Sequence, residues 1–486
     1  MIFFLNKGMG HGNSGVEHAQ FYRGKLFNSK KIPFKLVFNN FLPELHKHAQ
    51  EWELNENQLI GIYDYFLAED PDDYLENGLS EINDFNETVL IDKSNTQRII
   101  TRKSTGNYIA KVQRVKRYSE KNKMLMVSDA RVTLTSETKS GTHMVSWIYR
   151  DGGSRGSLPV SFIIENFKGK NYRFNNFEEF NHFFLEQLIE HFGDNSMFMV
   201  DRGNENEESL VELRLAHPNL RLVDVIHAAH LTNVENNHYL WNNHYQFMFE
   251  NVDVFDRVVV STKLQRDQVI ENLGPSFKDK VVAIPVGGVP NVAKARTWNG
   301  ETVKFVTASR LHEEKHISHI IRAIDILKKR NPNVELYIYG AGADLAPLEK
   351  LTKELNLENQ VKFMGLSQQM IKDLGKYDAF VGASYSEGFG LTYIEAMANG
   401  MPIASYGNLF GAQELIKDGV TGYLADFERT MEEEAVVRNI DKLALAMAKI
   451  FESPEHYKKL SEETVKFSEE FTNSHIADQW AEFIKI

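Results

Sequence analysis

Two cations five residues apart stand in the segment Ser309-Arg310-Leu311-His312-Glu313-Glu314-Lys315. Arg310 offers a planar fork to two oxygens and Lys315 a compact charge, a combination suited to a diphosphate. Further on, Ser386-Glu387-Gly388-Phe389-Gly390-Leu391-Thr392-Tyr393-Ile394-Glu395-Ala396 carries two carboxylates eight residues apart. Carboxylates repel phosphate but accept hydrogen bonds from sugar hydroxyls, so Glu387 and Glu395 read as polyol ligands flanking an anion site. Gly388 and Gly390 leave the amides of the following helix start open to phosphate. Taken singly, the cations read as surface charges and the acids as helix decoration.

Three other patterns bear on chemistry. Gly10-x-Gly12-x-x-Gly15 lies between a predicted strand and a predicted helix, where a dinucleotide fingerprint belongs. That fingerprint wants an acid at the end of the second strand, and this chain reads Phe38-Asn39-Asn40, which argues against a nicotinamide or flavin cofactor. A tight turn, or a close approach of backbone to an anionic ligand, remains. His227-Ala228-Ala229-His230 follows another predicted strand; without cysteine or a His-Glu-x-x-His spacing, it is not a zinc set. Two packing or surface histidines is the plain alternative. Asp70-Pro71-Asp72 has the form of a manganese-binding pair but sits in an acidic, turn-like run and is discounted.

The elements that must position these residues fall into two α/β segments. The first has strands over 2–6 and 34–38, a helix over 16–27, and further strands over 196–200, 222–226, 257–260 and 281–284. The second has strands over 303–308, 334–339, 361–364, 379–382 and 402–405. Ile317, Ile320, Ile321, Ile324 and Leu327 share one helical face between its first two strands. Each motif leaves the C-terminal end of a strand, the edge where parallel sheets bind ligands. Between 64 and 192 the pattern changes to short period-two runs over 97–101, 108–115, 131–135, 146–149 and 160–164, an antiparallel meander. A helix over 177–191 returns the chain to the parent sheet, and 474–486 forms a terminal amphipathic helix that must dock.

Composition narrows the class. At 486 residues the chain exceeds one hydrophobic core, and 42% hydrophobic with 25% charged residues describes an ordinary globular protein. The net charge of −12 argues against nucleic acid as a partner. With no cysteine there is no disulfide, iron–sulfur cluster or thiol nucleophile, which suits a reducing cytosol. No stretch approaches eighteen consecutive apolar residues, and the N-terminus is too short for a signal-peptide core, so the expected place is the cytoplasm, at most peripheral to the inner face of the membrane. The charge is uneven: 64–92 holds ten acids and no base, whereas 93–123 holds ten Lys or Arg and one acid. Two solvated faces of the meander account for this, or a basic surface that docks a partner subunit or anionic lipid.

Arg310, Lys315, the Glu387/Glu395 pair and the N-terminal glycine loop together resemble a retaining nucleotide-sugar glycosyltransferase of family 4, of the two-Rossmann (GT-B) type. With residues 8–17, 225–230, 240–243 and 307–316, the chain resembles the catalytic A subunits (GtfA) of the accessory-Sec glycosyltransferases. Those enzymes start O-glycosylation of serine-rich-repeat adhesins. The poly(ribitol-phosphate) teichoic-acid glycosyltransferases share much of the layout. A third alternative is a non-catalytic, acceptor-binding partner subunit.

The resemblance implies a GT-B fold in which two Rossmann-like domains face a cleft, with the β-meander domain inserted in the first. Residues 1–63 and 193–290 would form the acceptor-side domain, with helix 474–486 packing back on it. Residues 64–192 would bind acceptor or partner, and 291–473 would bind the nucleotide sugar. Arg310 and Lys315 would hold the diphosphate, Glu395 the ribose and Glu387 the transferred sugar. Gly388, Phe389, Gly390 and Leu391 would line the donor, and Gly15 and Val16 would offer it backbone amides. One of His227 and His230 would contact the sugar; the A subunits carry an acid between them where this chain has Ala229. The implied reaction moves N-acetylglucosamine or glucose from a UDP donor to Ser or Thr of the adhesin, beside a GtfB-like partner subunit. It proceeds by same-face attack, in which the leaving phosphate takes the acceptor proton. With two cations in place it needs no metal or other cofactor.

Overall fold

Strands that bury both faces need helices on either side, and the most apolar runs of this chain form parallel sheets of that kind. The computed structural model describes residues 1–92, 97–119, 122–153, 156–201, 204–235 and 238–485. They form two compact units. One comprises Met1–Phe21, Ile32–Val225 and Trp241–Val258; the other comprises Tyr22–Lys31, Ile226–Leu240 and Val259–Ile486. The fold class expected from sequence is present: the described residues form two large parallel sheets, a seven-stranded antiparallel sheet and a small two-stranded sheet.

In the first unit the parallel strands Arg221–Ile226, Met197–Val200, Ile2–Asn6, Phe34–Phe38 and Leu59–Gly61 lie in that order. Ile2–Asn6 and Phe34–Phe38 are buried throughout. The Gly8–Gly15 loop therefore leaves the C-terminal end of a central strand. Leu59–Gly61 is too short to register as a strand in the sequence.

The insertion is a seven-stranded antiparallel meander, running in sequence order from Asn86–Ile91 to Lys170–Asn176. Its strands are longer than the sequence suggests, the longest being Met124–Thr138. The first, Asn86–Ile91, is exposed at every residue, so burial imposes no alternation on it. Residues 64–77 are not meander but form the helices Ile62–Leu67 and Pro71–Asn77 and the turn between them, which corrects the reading of the whole acidic run as one of its faces. Asp70 caps the second helix, its carboxylate accepting from the amides of Asp72 and Asp73 at 3.1 Å. Asp72 pairs with Lys168 at 2.8 Å. The acid-Pro-acid run is a helix start. The basic side chains ride mainly on the strands Gln97–Lys103 and Ile109–Ser119, where Arg102 pairs with Glu87 and Arg114 with Asp129, each at 2.6 Å. Lys93, Glu120 and Lys121 lie outside the described residues.

In the second unit six parallel strands run in the order Val361–Gly365, Val334–Tyr339, Val303–Ala308, Ala379–Gly382, Ile403–Tyr406 and Gly422–Ala425. The helix Ile317–Lys328 seals one face with Ile317, Ile320, Ile321, Ile324 and Leu327, all buried. Each contributes roughly 1.5–3 kcal/mol of apolar burial. The terminal helix Asn473–Phe483 buries Ile476, Trp480 and Phe483. Trp480 meets Phe27 edge to face, and the Arg23 guanidinium lies 5.4 Å from its ring centre. Tyr22–Lys31 belongs with this helix to the second unit. Among the described residues, no helix is long and apolar enough to cross a membrane.

Candidate functional site

The order of strands in the second unit reverses between Val303–Ala308 and Ala379–Gly382, which are neighbours. Such a switch point opens a crevice at the carboxyl ends of the strands. The two chemical motifs leave those two strands, which is why residues about seventy positions apart in sequence meet.

After Val303–Ala308 the chain makes the short 3₁₀ turn Glu313–Lys315. His316 then adopts a left-handed conformation at φ 46° and begins the long helix. That sharp corner aims Lys315 inward: its Nζ donates to Glu387 Oε1 at 2.6 Å, and both side chains are largely covered. Arg310 differs. Its guanidinium pairs with Glu314, four residues on, at 2.8 Å and is 71% exposed. One cation is locked to a carboxylate and the other is available to solvent.

The loop bearing Glu387 is held from three sides. Its backbone bridges Phe410, and its carbonyl accepts from the Gly411 amide at 3.2 Å. Phe410 sits at φ 72°, a strained value for a bulky residue and one that no sequence signal foretold. A Cβ on Gly388 would lie 2.2 Å from the His227 carbonyl oxygen, so only glycine lets these backbones approach. Gly390, at φ 93°, is the N-cap of the helix Leu391–Ala398 and leaves its first amides unobstructed. Phe389 is buried and borders a cavity of about 260 Å³, whose walls include Ser261, Lys263, Glu414, Lys417 and His475.

Glu395 lies one turn into that helix. Burial raises its pKa to about 7, so it is poised between protonated and ionised forms near neutrality. It in turn helps burial push the Tyr22 hydroxyl up to about 12. His230 is fully buried, with Nε2 2.9 Å from Asn272 Oδ1, and burial lowers its pKa. His227 is half-buried and presents its carbonyl to Gly388. The second unit therefore brings together Lys315, Glu387, Gly388 and His227, while His230 packs against Phe410. Gly15 and Val16 belong to the first unit, at the start of the helix Gly15–Ser29. There Ser14 and Glu17 form a reciprocal cap, the Ser14 amide donating to Glu17 at 2.7 Å.

Sequence reasoning missed Asn408. It is fully buried, donates to the Ser384 carbonyl at 3.0 Å and accepts from the Ala412 amide at 2.9 Å. It ties the turn after one strand to the turn after the next, beneath the Glu387 loop. Tyr393 joins the same group through Ser405 at 2.8 Å. The one signal was an asparagine directly after a glycine beyond a strand, which many turns share.

Residues 289–467 match the family described as Glycosyl transferases group 1. The chain is 27% identical to the UDP-N-acetylglucosamine–peptide N-acetylglucosaminyltransferase GtfA subunit of Streptococcus parasanguinis, covering 100% of this chain and 99% of the relative. It is 23% identical to the poly(ribitol-phosphate) alpha-N-acetylglucosaminyltransferase of Staphylococcus aureus (strain COL), over 87% of this chain and 89% of that one. A crystal structure of a GtfA/B complex has the same fold, with a TM-score of 0.76 at 20% identity over 100% of this chain and 99% of the other. The chain is thus similar along its whole length to GtfA subunits, carries a glycosyl transferase group 1 domain in its second unit, and has the GT-B architecture.

Proposed function

We propose that the chain transfers N-acetylglucosamine from UDP-N-acetylglucosamine to Ser or Thr hydroxyls of a protein acceptor, with retention at the sugar carbon. The observation that carries this reading is the Lys315–Glu387 contact beside the open helix start at Gly390, all at one sheet switch point. A donor diphosphate would draw Lys315 and Arg310 to its oxygens and release Glu387 to a sugar hydroxyl. Charge developing on the leaving phosphate is then met by fixed cations and helix amides, and no metal is required. Glu395 accepts from the ribose. The intact set also favours a catalytic over a purely acceptor-binding subunit.

The finer assignments belong to the same proposal: a serine-rich-repeat adhesin as acceptor, a GtfB-like partner subunit, and a cytoplasmic site of action with peripheral membrane contact. Full-length similarity to a peptide N-acetylglucosaminyltransferase subunit and the shared fold of a GtfA/B complex support them. The test is incubation of the chain and its partner subunit with UDP-N-acetylglucosamine and a Ser-rich peptide, followed by mass spectrometry. Addition of one N-acetylhexosamine mass per modified residue is expected, and absence of both transfer and UDP release sinks the proposal. Similarity to the ribitol-phosphate enzyme favours a second reading, which transfer to poly(ribitol phosphate) but not to peptide would select.

A further inference from the structure

His11, His48 and Glu51, none of them assigned a role above, converge in the first unit: one ligand atom from each lies within 4.8 Å of the others. His11 Nδ1 is 2.7 Å from Glu51 Oε2, and His48 Nδ1 is 3.2 Å from the same oxygen. His48 and Glu51 stand three residues apart on the helix Leu45–Glu51, so they share a face. His11 comes from the glycine loop, and its ring meets that of His48 edge to face at 4.6 Å.

Two imidazoles and a carboxylate are a borderline-soft set, suited to Zn²⁺ and its neighbours rather than to Mg²⁺ or Ca²⁺. Ligand atoms about 2.1 Å from a tetrahedral Zn²⁺ stand about 3.4 Å from one another. The His48–Glu51 spacing already approaches that value. The His11–Glu51 spacing must open by several tenths of an ångström, and the His11 side chain, 70% exposed, is free to move. The exposure also leaves room for a water as fourth ligand.

The loop itself explains what such an ion would do. Gly10, Gly12 and Gly15 have no atom within 4 Å of where a Cβ would lie, so the loop is open and weakly packed. It is tied to the helix end by the Trp52 indole N–H donating to the Gly10 carbonyl at 2.9 Å and by the His11–Glu51 contact. A metal bond through His11 would replace that contact with a stronger one.

We propose that His11, His48 and Glu51 form a binding site for a divalent transition-metal ion, of which Zn²⁺ fits best, that clips the glycine loop to the helix Leu45–Glu51. The ion takes no part in transfer. Titration of the full chain with Zn²⁺ by calorimetry should show one saturable equivalent. Co²⁺ should give visible absorption bands of low coordination number, and Zn²⁺ should slow amide exchange over 8–15. His11→Ala, His48→Ala and Glu51→Gln should each weaken binding at least about tenfold. His475→Ala, which removes none of the three ligands, should leave binding unchanged. Because His11 is exposed in a loop, its variant keeps the fold and suffices alone. Absence of a saturable equivalent overturns the proposal, as does equal binding by His11→Ala and the unaltered chain, which would assign the ion to other histidines.

Discussion

Lys315 Nζ and Glu387 Oε1 stand 2.6 Å apart although 72 residues separate them in sequence. The contact joins the turn after one central strand to the turn after its neighbour. In the proposed function a nucleotide sugar would break it, the diphosphate competing for the ammonium and the sugar for the carboxylate. Glu387→Gln keeps the shape but weakens the acceptor. Transfer should fall by about a hundredfold or more, while UDP binding, followed by thermal shift, survives. Equal loss of both would remove Glu387 from the sugar.

Arg310 tests the other half of the anion site. Its partner Glu314 is exposed and four residues on, so the pair contributes only about 0.2–1 kcal/mol to folding. Arg310→Ala should therefore leave the melting temperature nearly unchanged while weakening UDP, and the remaining affinity should depend less on salt. Unchanged UDP affinity by calorimetry would place the diphosphate elsewhere.

What the sequence made legible follows from what burial enforces. The Ile317–Lys328 helix and the Val303–Ala308 strand show their periods because their apolar faces are sealed. Arg310, Lys315 and Glu387 stand out in the sequence because turns at sheet ends carry a few chemically distinctive types, and the fold brings Lys315 to Glu387. Asn86–Ile91 was not legible, since an edge strand exposed at every residue has no burial pattern. Phe410 was not either: its positive φ is imposed by the Glu387 bridge and the Asn408 hydrogen bonds, which are long-range. His227 and His230 looked equivalent until packing separated them, with His230 sealed against Asn272 and Phe410.

Gly388 is a steric prediction. Its missing Cβ makes room for the His227 carbonyl, and backbone on both sides has no flexible end to yield. Gly388→Ala should cost about 1–3 kcal/mol and lower transfer, because the Glu387 loop must shift. Gly12→Ala, with open space around it, should stay within about 0.5 kcal/mol. Denaturant midpoints of the two variants make the comparison; equal midpoints would show that the loop relaxes freely.

Glu395 predicts a pH dependence with a definite sign. Its folded pKa is raised to about 7 by burial, above the ordinary 4.5, so the folded chain holds the proton more tightly than the unfolded chain does. The stability this confers is fully present below the unfolded value and is lost as pH rises towards 7. Ribose recognition runs the other way, because only the ionised carboxylate accepts hydrogen bonds at both oxygens. A UDP-sugar has no phosphate that titrates near neutrality, so its binding isolates the protein group. Donor KM should fall as pH rises through 7 and flatten above it. Glu395→Gln should abolish that slope and, measured by urea unfolding, gain stability near pH 8 relative to the unaltered chain. A KM slope that persists in Glu395→Gln would assign the titration to another residue.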